Sequence, residues 1–319
     1  ETGQIMNVVN VSSASGNSAV AISGTGQLII SGNVTSTDQL VMTLGTNTGV
    51  SIAGNTTGDQ PLKFVTAGAS TITLNGGAQA LAGIFDSDSS LGGKMVISNA
   101  GIKTFAEATG GANAFGTITT NAGATAVFGS TTETVTLVNT GTTTLTGAAT
   151  ITTVNNAGAL TVTAAIDKVS SALTTINMTT QASAVTFNAT DAVDLDMIVA
   201  TATDGFGTLN FIDTADNAAI ANTLSGGDIG ATTKRIGTIN VGSATKAGKL
   251  TTLDGDAIFA SAINITGGDA AAEDSILGLH ESIGDANSLT AIVLTDLAGD
   301  AELNILTASS IFGTIDGTA

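Results

Sequence analysis

Six short stretches decide how this chain folds: Asn47-Thr48-Gly49-Val50, Asn75-Gly76-Gly77-Ala78, Asn99-Ala100-Gly101-Ile102, Asn121-Ala122-Gly123-Ala124, Asn139-Thr140-Gly141-Thr142 and Asn156-Ala157-Gly158-Ala159. The asparagines stand 28, 24, 22, 18 and 17 residues apart. Asn and Gly both tolerate left-handed backbone angles, so each copy can turn the chain sharply. A period of about 20 residues is the mark of a solenoid. Copies that turn at one corner would stack successive coils about 4.8 Å apart as parallel strands. Their asparagines would then form a ladder, each amide bonding the next. The alternative is hairpin turns in a β-sandwich, which would favour two-residue Asn-Gly loops at tighter, more even spacing.

Between the turns lie short bursts of strand-like alternation. Leu40-Val41-Met42-Thr43-Leu44, Thr71-Ile72-Thr73-Leu74, Leu160-Thr161-Val162-Thr163 and Ala291-Ile292-Val293-Leu294 are examples. Thr, Val and Ile are β-branched and suit a pleated, half-buried surface. Gly, Asn, Ser or Thr bound each burst, which is all-β punctuation. The expected fold is therefore all-β, a right-handed parallel β-solenoid of about 20 residues per coil. That coil length implies about 16 coils and a rod of roughly 75 Å.

Composition agrees with a thin core. The 319 residues include 55 Thr, 49 Ala and 40 Gly, with no Cys, Trp or Tyr and one proline, Pro61. Narrow stacked columns accept small and aliphatic side chains, and the ten Phe serve as column fillers or plugs. Without Cys, disulfides and thiolate metal sites are excluded. The net charge of −18 excludes a basic nucleic-acid-binding surface. No apolar run reaches the roughly 18 residues of a membrane-spanning helix. Six Asn-x-Ser/Thr sequons, at Asn10, Asn33, Asn55, Asn177, Asn188 and Asn264, are expected by chance in such a composition.

A second repeat, Phe or Ile followed by Gly-Thr, occurs at Phe115, Phe206, Ile236 and Phe312. Its copies span both halves, so the same architecture should run on. Residues 1–165 form the regular part. Residues 166–319 form a less regular, more acidic continuation. Residues 1–160 hold seven acids and three bases, and 161–319 hold nineteen acids and five bases. The spacing of Ile276, Leu277, Leu279 and Ile283 suggests a short helical excursion or broad loop over 269–283.

The acidic half invites a cation. Hard cations such as calcium take carboxylate and carbonyl oxygens. The candidate ligands are Asp194 with Asp196, Asp254 with Asp256, and Asp296 with Asp300 and Glu302. No other cofactor is expected, and plain surface acidity is the alternative reading. Catalysis is not expected. Lyase chemistry needs a strong base, and Arg235 is the only arginine. Hydrolase chemistry needs paired carboxylates, for which Asp86 with Asp88, Asp194 with Asp196, or Asp254 with Asp256 have the spacing to share one strand face. A sugar cleft would also want the missing Trp and Tyr. His280, beside Glu281, reads as an exposed loop residue.

The run Asn47-Thr48-Gly49-Val50-Ser51-Ile52-Ala53-Gly54-Asn55-Thr56-Thr57-Gly58 resembles passenger regions of bacterial autotransporters. So do the Phe-Gly-Thr-Ile copies and Ile236-Gly237-Thr238-Ile239-Asn240-Val241-Gly242. The likeness is nearest to rickettsial surface cell antigens of the outer membrane protein B kind. It implies an extracellular, cell-surface passenger that acts as an adhesin and contributes to a surface layer. It also implies attachment to the outer membrane through a barrel segment not seen in this sequence. The implied partners are a host-cell surface protein or neighbouring copies of the chain, with no nucleic acid and no membrane insertion of this stretch. The alternatives are a structural surface-layer or filament subunit bridged by calcium and, below that, a polysaccharide-active β-helix enzyme. Solution scattering should give a rod-like profile. A globular profile with a radius of gyration near about 20 Å would exclude the solenoid.

Overall fold

A computed structural model describes residues 4–14, 16–58, 62–89, 92–163, 166–167, 174–189, 193–195, 197–213, 222–224, 227–252, 257–307 and 309–318. The β-branched bursts become strands that pair in parallel with the like burst one turn later. Gly49–Ile52 lies between Gln27–Ile30 and Thr71–Leu74, with Val50 opposite both Leu28 and Ile72. The chain is a β-solenoid of about 12 turns with roughly 23 residues per turn. Turns are thus longer and fewer than the Asn-x-Gly spacing suggests. The spacing shrinks along the chain, and its last copies sample the shortest turns, where Thr125 pairs with Thr142. Elsewhere Ile5 pairs with Gln27, and Phe206 pairs with Ile236 across a much longer turn.

The chain divides into two compact units, Glu1–Thr152 and Thr153–Ala319. In the first unit each early turn has three sides. The first side includes Ile5–Val8, Gln27–Ile30, Gly49–Ile52, Thr71–Leu74, Gly92–Ile97, Phe115–Thr120 and Thr132–Asn139. The second runs from Val11–Ser13 to Thr142–Leu145. The third holds only Ser18–Ile22, Leu40–Leu44, Leu62–Thr66 and Ile84–Ser87. Beyond Ile84–Ser87 it continues through single bridges, from Phe85 to Thr109 and from Thr109 to Thr132. The second unit repeats the scheme. One sheet includes Ala184–Ala189, Phe206–Asp213, Ile236–Val241, Ala260–Thr266, Thr290–Thr295 and Gly313–Thr318. Another is Val193–Leu195, Asn222–Leu224, Lys249–Thr252, Ser275–Leu279 and Ala301–Ile305.

The Asn-x-Gly copies at Asn75, Asn99, Asn121 and Asn139 all turn the chain from the first side to the second. The copy at Asn156 joins Ala149–Asn156 to Ala159–Val162, which belong to the same two sheets. The copy at Asn47 sits at another corner, leading into Gly49–Ile52. Backbone geometry explains the residue choice at the Asn99 corner. Asn99 has φ 63° and Gly101 has φ 107°. A Cβ on Gly101 would meet the Gly77 carbonyl carbon at 2.6 Å, inside any tolerable contact. Lys103, wholly buried, caps this corner from within: its Nζ donates to the carbonyl oxygens of Asn99 at 2.7 Å and Gly101 at 3.3 Å. Burial holds its ammonium below the usual lysine range.

At the Asn75 and Asn99 corners the expected amide-to-amide link is replaced by a side-chain-to-backbone one: Asn99 Nδ2 donates to the Asn75 main-chain carbonyl one turn back, and Asn75 Oδ1 has no hydrogen-bond partner among the described residues. Asn139 and Asn156 turn inward and are fully buried. Asn139 Oδ1 accepts from Thr143 Oγ1 at 3.0 Å, and Asn156 Nδ2 donates to the Ala184 carbonyl at 2.9 Å. The amide ladder lies instead on the outward side of a strand face in the second unit. Asn240 Nδ2 donates to Asn210 Oδ1, and Asn264 Nδ2 donates to Asn240 Oδ1, both at 2.8 Å.

The core is a set of columns. Inward positions alternate along each strand, as in Leu62, Phe64 and Thr66. Parallel pairing then stacks like on like. Phe64 lies on Phe85 with ring centroids 4.7 Å apart, Phe85 meets Phe105 edge to face at 5.5 Å, and Phe105 stacks on Phe128 at 4.5 Å. Phe187 and Phe211 form a second stack at 5.2 Å. The column-filler role expected for phenylalanine is therefore observed at these positions.

The helical excursion read over 269–283 is not present. Ser275–Leu279 is a strand paired in parallel with Lys249–Thr252 on one side and Ala301–Ile305 on the other. The two ladders override the helical spacing of its aliphatic residues. No helix among the described residues is long and apolar enough to cross a membrane. Phe85→Ala should remove the shared member of two ring contacts and destabilise the first unit by roughly 3–5 kcal/mol. Urea unfolding of the variant measures this, and a loss under about 1 kcal/mol would show that the column does not act as a unit.

Candidate functional site

The third side of the first unit places three charged residues around one cleft. Leu62–Thr66 and Ile84–Ser87 pair with Ile84 opposite Lys63 and Asp86 opposite Val65. Lys63 and Asp86 are therefore diagonal neighbours on the outward face. The segment 108–113 folds over that face. Gly110 N–H donates to the Phe85 carbonyl at 2.6 Å, and Thr109 N–H donates to the Thr131 carbonyl at 2.9 Å. Asn113 N–H donates to Asp86 Oδ1 at 2.8 Å. This cover explains why an outward carboxylate has no solvent exposure.

Asp86 is held from two directions. Its Oδ1 also accepts the Ser87 N–H at 3.0 Å. Its Oδ2 lies 3.1 Å from Lys63 Nζ but takes no properly aligned hydrogen bond. Glu133, near the start of Thr132–Asn139, stands on the wall opposite and is half-buried. The cleft measures about 430 Å³ and is lined by Lys63, Ile84, Asp86, Ala108, Gly111, Ala112, Thr131 and Glu133. Burial first, and the Asp86 charge second, push the Glu133 carboxyl above the usual glutamate range.

Residue pairing by sequence distance missed this group. Asp86 was matched with Asp88, but Ile84–Ser87 ends before Asp88, which is exposed. The partner that the fold supplies is Glu133, brought across by the intervening turns. An acid placed next to the buried Thr132 in an otherwise Thr-rich strand was the available signal.

The acidic residues considered for calcium fall out as follows. Asp194 is on Val193–Leu195, opposite Thr223. Asp196, Asp254 and Asp256 lie outside the described residues. Asp296 is exposed, and its Oδ1 accepts the Ala301 N–H at 2.8 Å. Asp300 is also exposed, and its N–H donates to Asp274 Oδ1 at 2.9 Å. Glu302 Oε2 accepts from Asn304 Nδ2 at 3.2 Å. Among the described residues no group of three or more His, Asp or Glu side chains is placed to hold a metal ion.

Arg235 forms a fork with Asp204, its Nε at 3.0 Å from Oδ1 and its terminal nitrogen at 2.8 Å from Oδ2. Its other terminal nitrogen donates to the Leu289 carbonyl at 3.1 Å. The hydrogen bonds from Arg235 hold the Asp204 carboxyl below its usual range. The guanidinium is thus engaged in bridging turns of the second unit. His280 follows Ser275–Leu279 and is half-buried, less open than its loop position suggested.

An acid whose folded-state pKa is raised takes up a proton on folding, so its contribution weakens the fold as pH rises past the usual glutamate range. Glu133→Gln should match the parent in urea midpoint below that range and exceed it at neutral pH. An equal or lower midpoint at neutral pH would mean that ionised Glu133 is not disfavoured in the cleft. No known family's sequence profile matches the chain. Comparison with curated proteins and with solved structures found no match either.

Proposed function

We infer that the chain is a non-catalytic surface protein, an autotransporter-type passenger that acts by presentation. Its stacked turns carry binding or lattice faces away from a bacterial cell, and its partner is a host-cell surface protein. The β-solenoid is the observation that supports this reading, because it builds long, repetitive outer faces on a thin packed core. The outward amide ladder of Asn210, Asn240 and Asn264 is one such repetitive polar row. The resemblance of Asn47-Thr48-Gly49-Val50 and of Ile236-Gly237-Thr238-Ile239 to rickettsial-type surface antigens points the same way.

Fluorescently labelled chain should bind cultured animal cells saturably and be displaced by unlabelled chain. Assembly of the purified chain into sheets or filaments on adding calcium, with no saturable cell binding, would overturn the adhesin reading in favour of a lattice subunit.

A further inference from the structure

The cleft between Leu62–Thr66, Ile84–Ser87 and the segment 108–113 holds an uneven set of charges. It has two carboxylates, Asp86 and Glu133, and one ammonium, Lys63. Lys63 serves Asp86. The Glu133 carboxylate takes no hydrogen bond and no ion pair from any described residue, although it is half-buried and faces the charge of Asp86. Asp86 Oδ2, on a side chain with no solvent exposure, is already ion-paired with Lys63 at 3.1 Å, so Glu133 is the carboxylate left without a counter-charge. An unpaired buried acceptor is costly and marks a place where a donor would be welcome.

The donor can be narrowed by chemistry. A divalent cation would want about six oxygen ligands and would be repelled by the ammonium already present. A bare anion would face two carboxylates. A primary ammonium has three N–H donors and one charge. Glu133 is the half-buried acceptor on the wall, and Thr131 and Asp86 line the cleft beside it. Ile84 and Ala108 offer apolar surface for an aliphatic stem. We propose that this cleft binds an alkylammonium group, a protonated primary amine on an aliphatic chain. One such cation neutralises Glu133 and brings the cleft to zero net charge. The burial and the Asp86 field that push the Glu133 carboxyl up are relieved by the same event.

Two sources share this chemistry, a free polyamine and a lysine side chain of another protein. The full chain is titrated at neutral pH by calorimetry with cadaverine and with Nα-acetyl-lysine methylamide, 1-pentanol serving as the uncharged stem. At least one amine should bind saturably at one site, and pentanol should not. Glu133→Gln should weaken that binding by about tenfold or more, the worth of a charge-assisted hydrogen bond. Glu107→Gln, on the exposed surface, should leave it unchanged. Binding of cadaverine alone assigns the free polyamine, and binding of the lysine derivative alone assigns a protein side chain. The pH titration of the Glu133 carboxyl, followed by its carbon-13 shift, should also move to lower pH on saturation with the amine, a readout that does not depend on the variant. Absence of saturable binding by both amines, or equal affinity in Glu133→Gln with its melting temperature retained, overturns the assignment. The cleft would have this property whether or not the chain proves to be a surface adhesin.

Discussion

Main-chain hydrogen bonding between successive turns is the constraint on which the rest of the protein depends. A parallel ladder leaves no freedom in register once a few pairs form, because a slip by one residue would send every inward side chain out. Each inward position must therefore tolerate its counterpart one turn away. Phenylalanine is found on phenylalanine at 64 and 85 and again at 105 and 128 because the ladder places them in contact. The small residues follow from the same rule. A column that must fit between two neighbours and across a narrow turn has little room, and Ala, Val and Thr fill it without voids.

The architecture was legible because turn chemistry and strand chemistry are local. Asn75, Asn99, Asn121 and Asn139 each open the same corner; Asn99, Gly101 and Gly123 take left-handed angles there, while a Cβ on Gly76 or Gly141 would lie within 2.4 Å of a main-chain oxygen, so the demand is written in two or three residues. Turn length was less legible, since residues between strands can bulge outward without disturbing the ladder. Ala231 with Lys234, Ser243 with Lys246 and Asp285 with Ser288 close small turns of this kind in the second unit. The segment 269–283 shows the opposite failure. Its spacing satisfied a helix, but two neighbouring strands offered it a complete set of hydrogen-bonding partners.

The cleft was out of reach for a different reason. Asp86 and Glu133 come together only because intervening turns wind back to the same side, and that depends on the summed length of those turns. Lys103 was equally hidden. Its place facing inward beneath the Asn99 corner depends on a strand parity that the sequence leaves open by one residue. In both cases local chemistry named the residue types and the count of residues per turn decided where they met. A solenoid has this property generally, because each turn touches only the turns before and after it.

The asparagines at the start of the first unit add a direction to the stack. Asn10 Oδ1 accepts the backbone N–H of Asn33, and Asn33 Oδ1 accepts that of Asn55, at 2.8 and 2.9 Å. Asn55 Oδ1 accepts the N–H of Ala80 at 2.9 Å. In every case the earlier turn supplies the acceptor and the later turn supplies the donor. Each turn thus carries the receptor for the turn that follows it in the chain. The row is therefore polar along the stack, presenting a side-chain acceptor toward the later turn and a main-chain donor toward the earlier one.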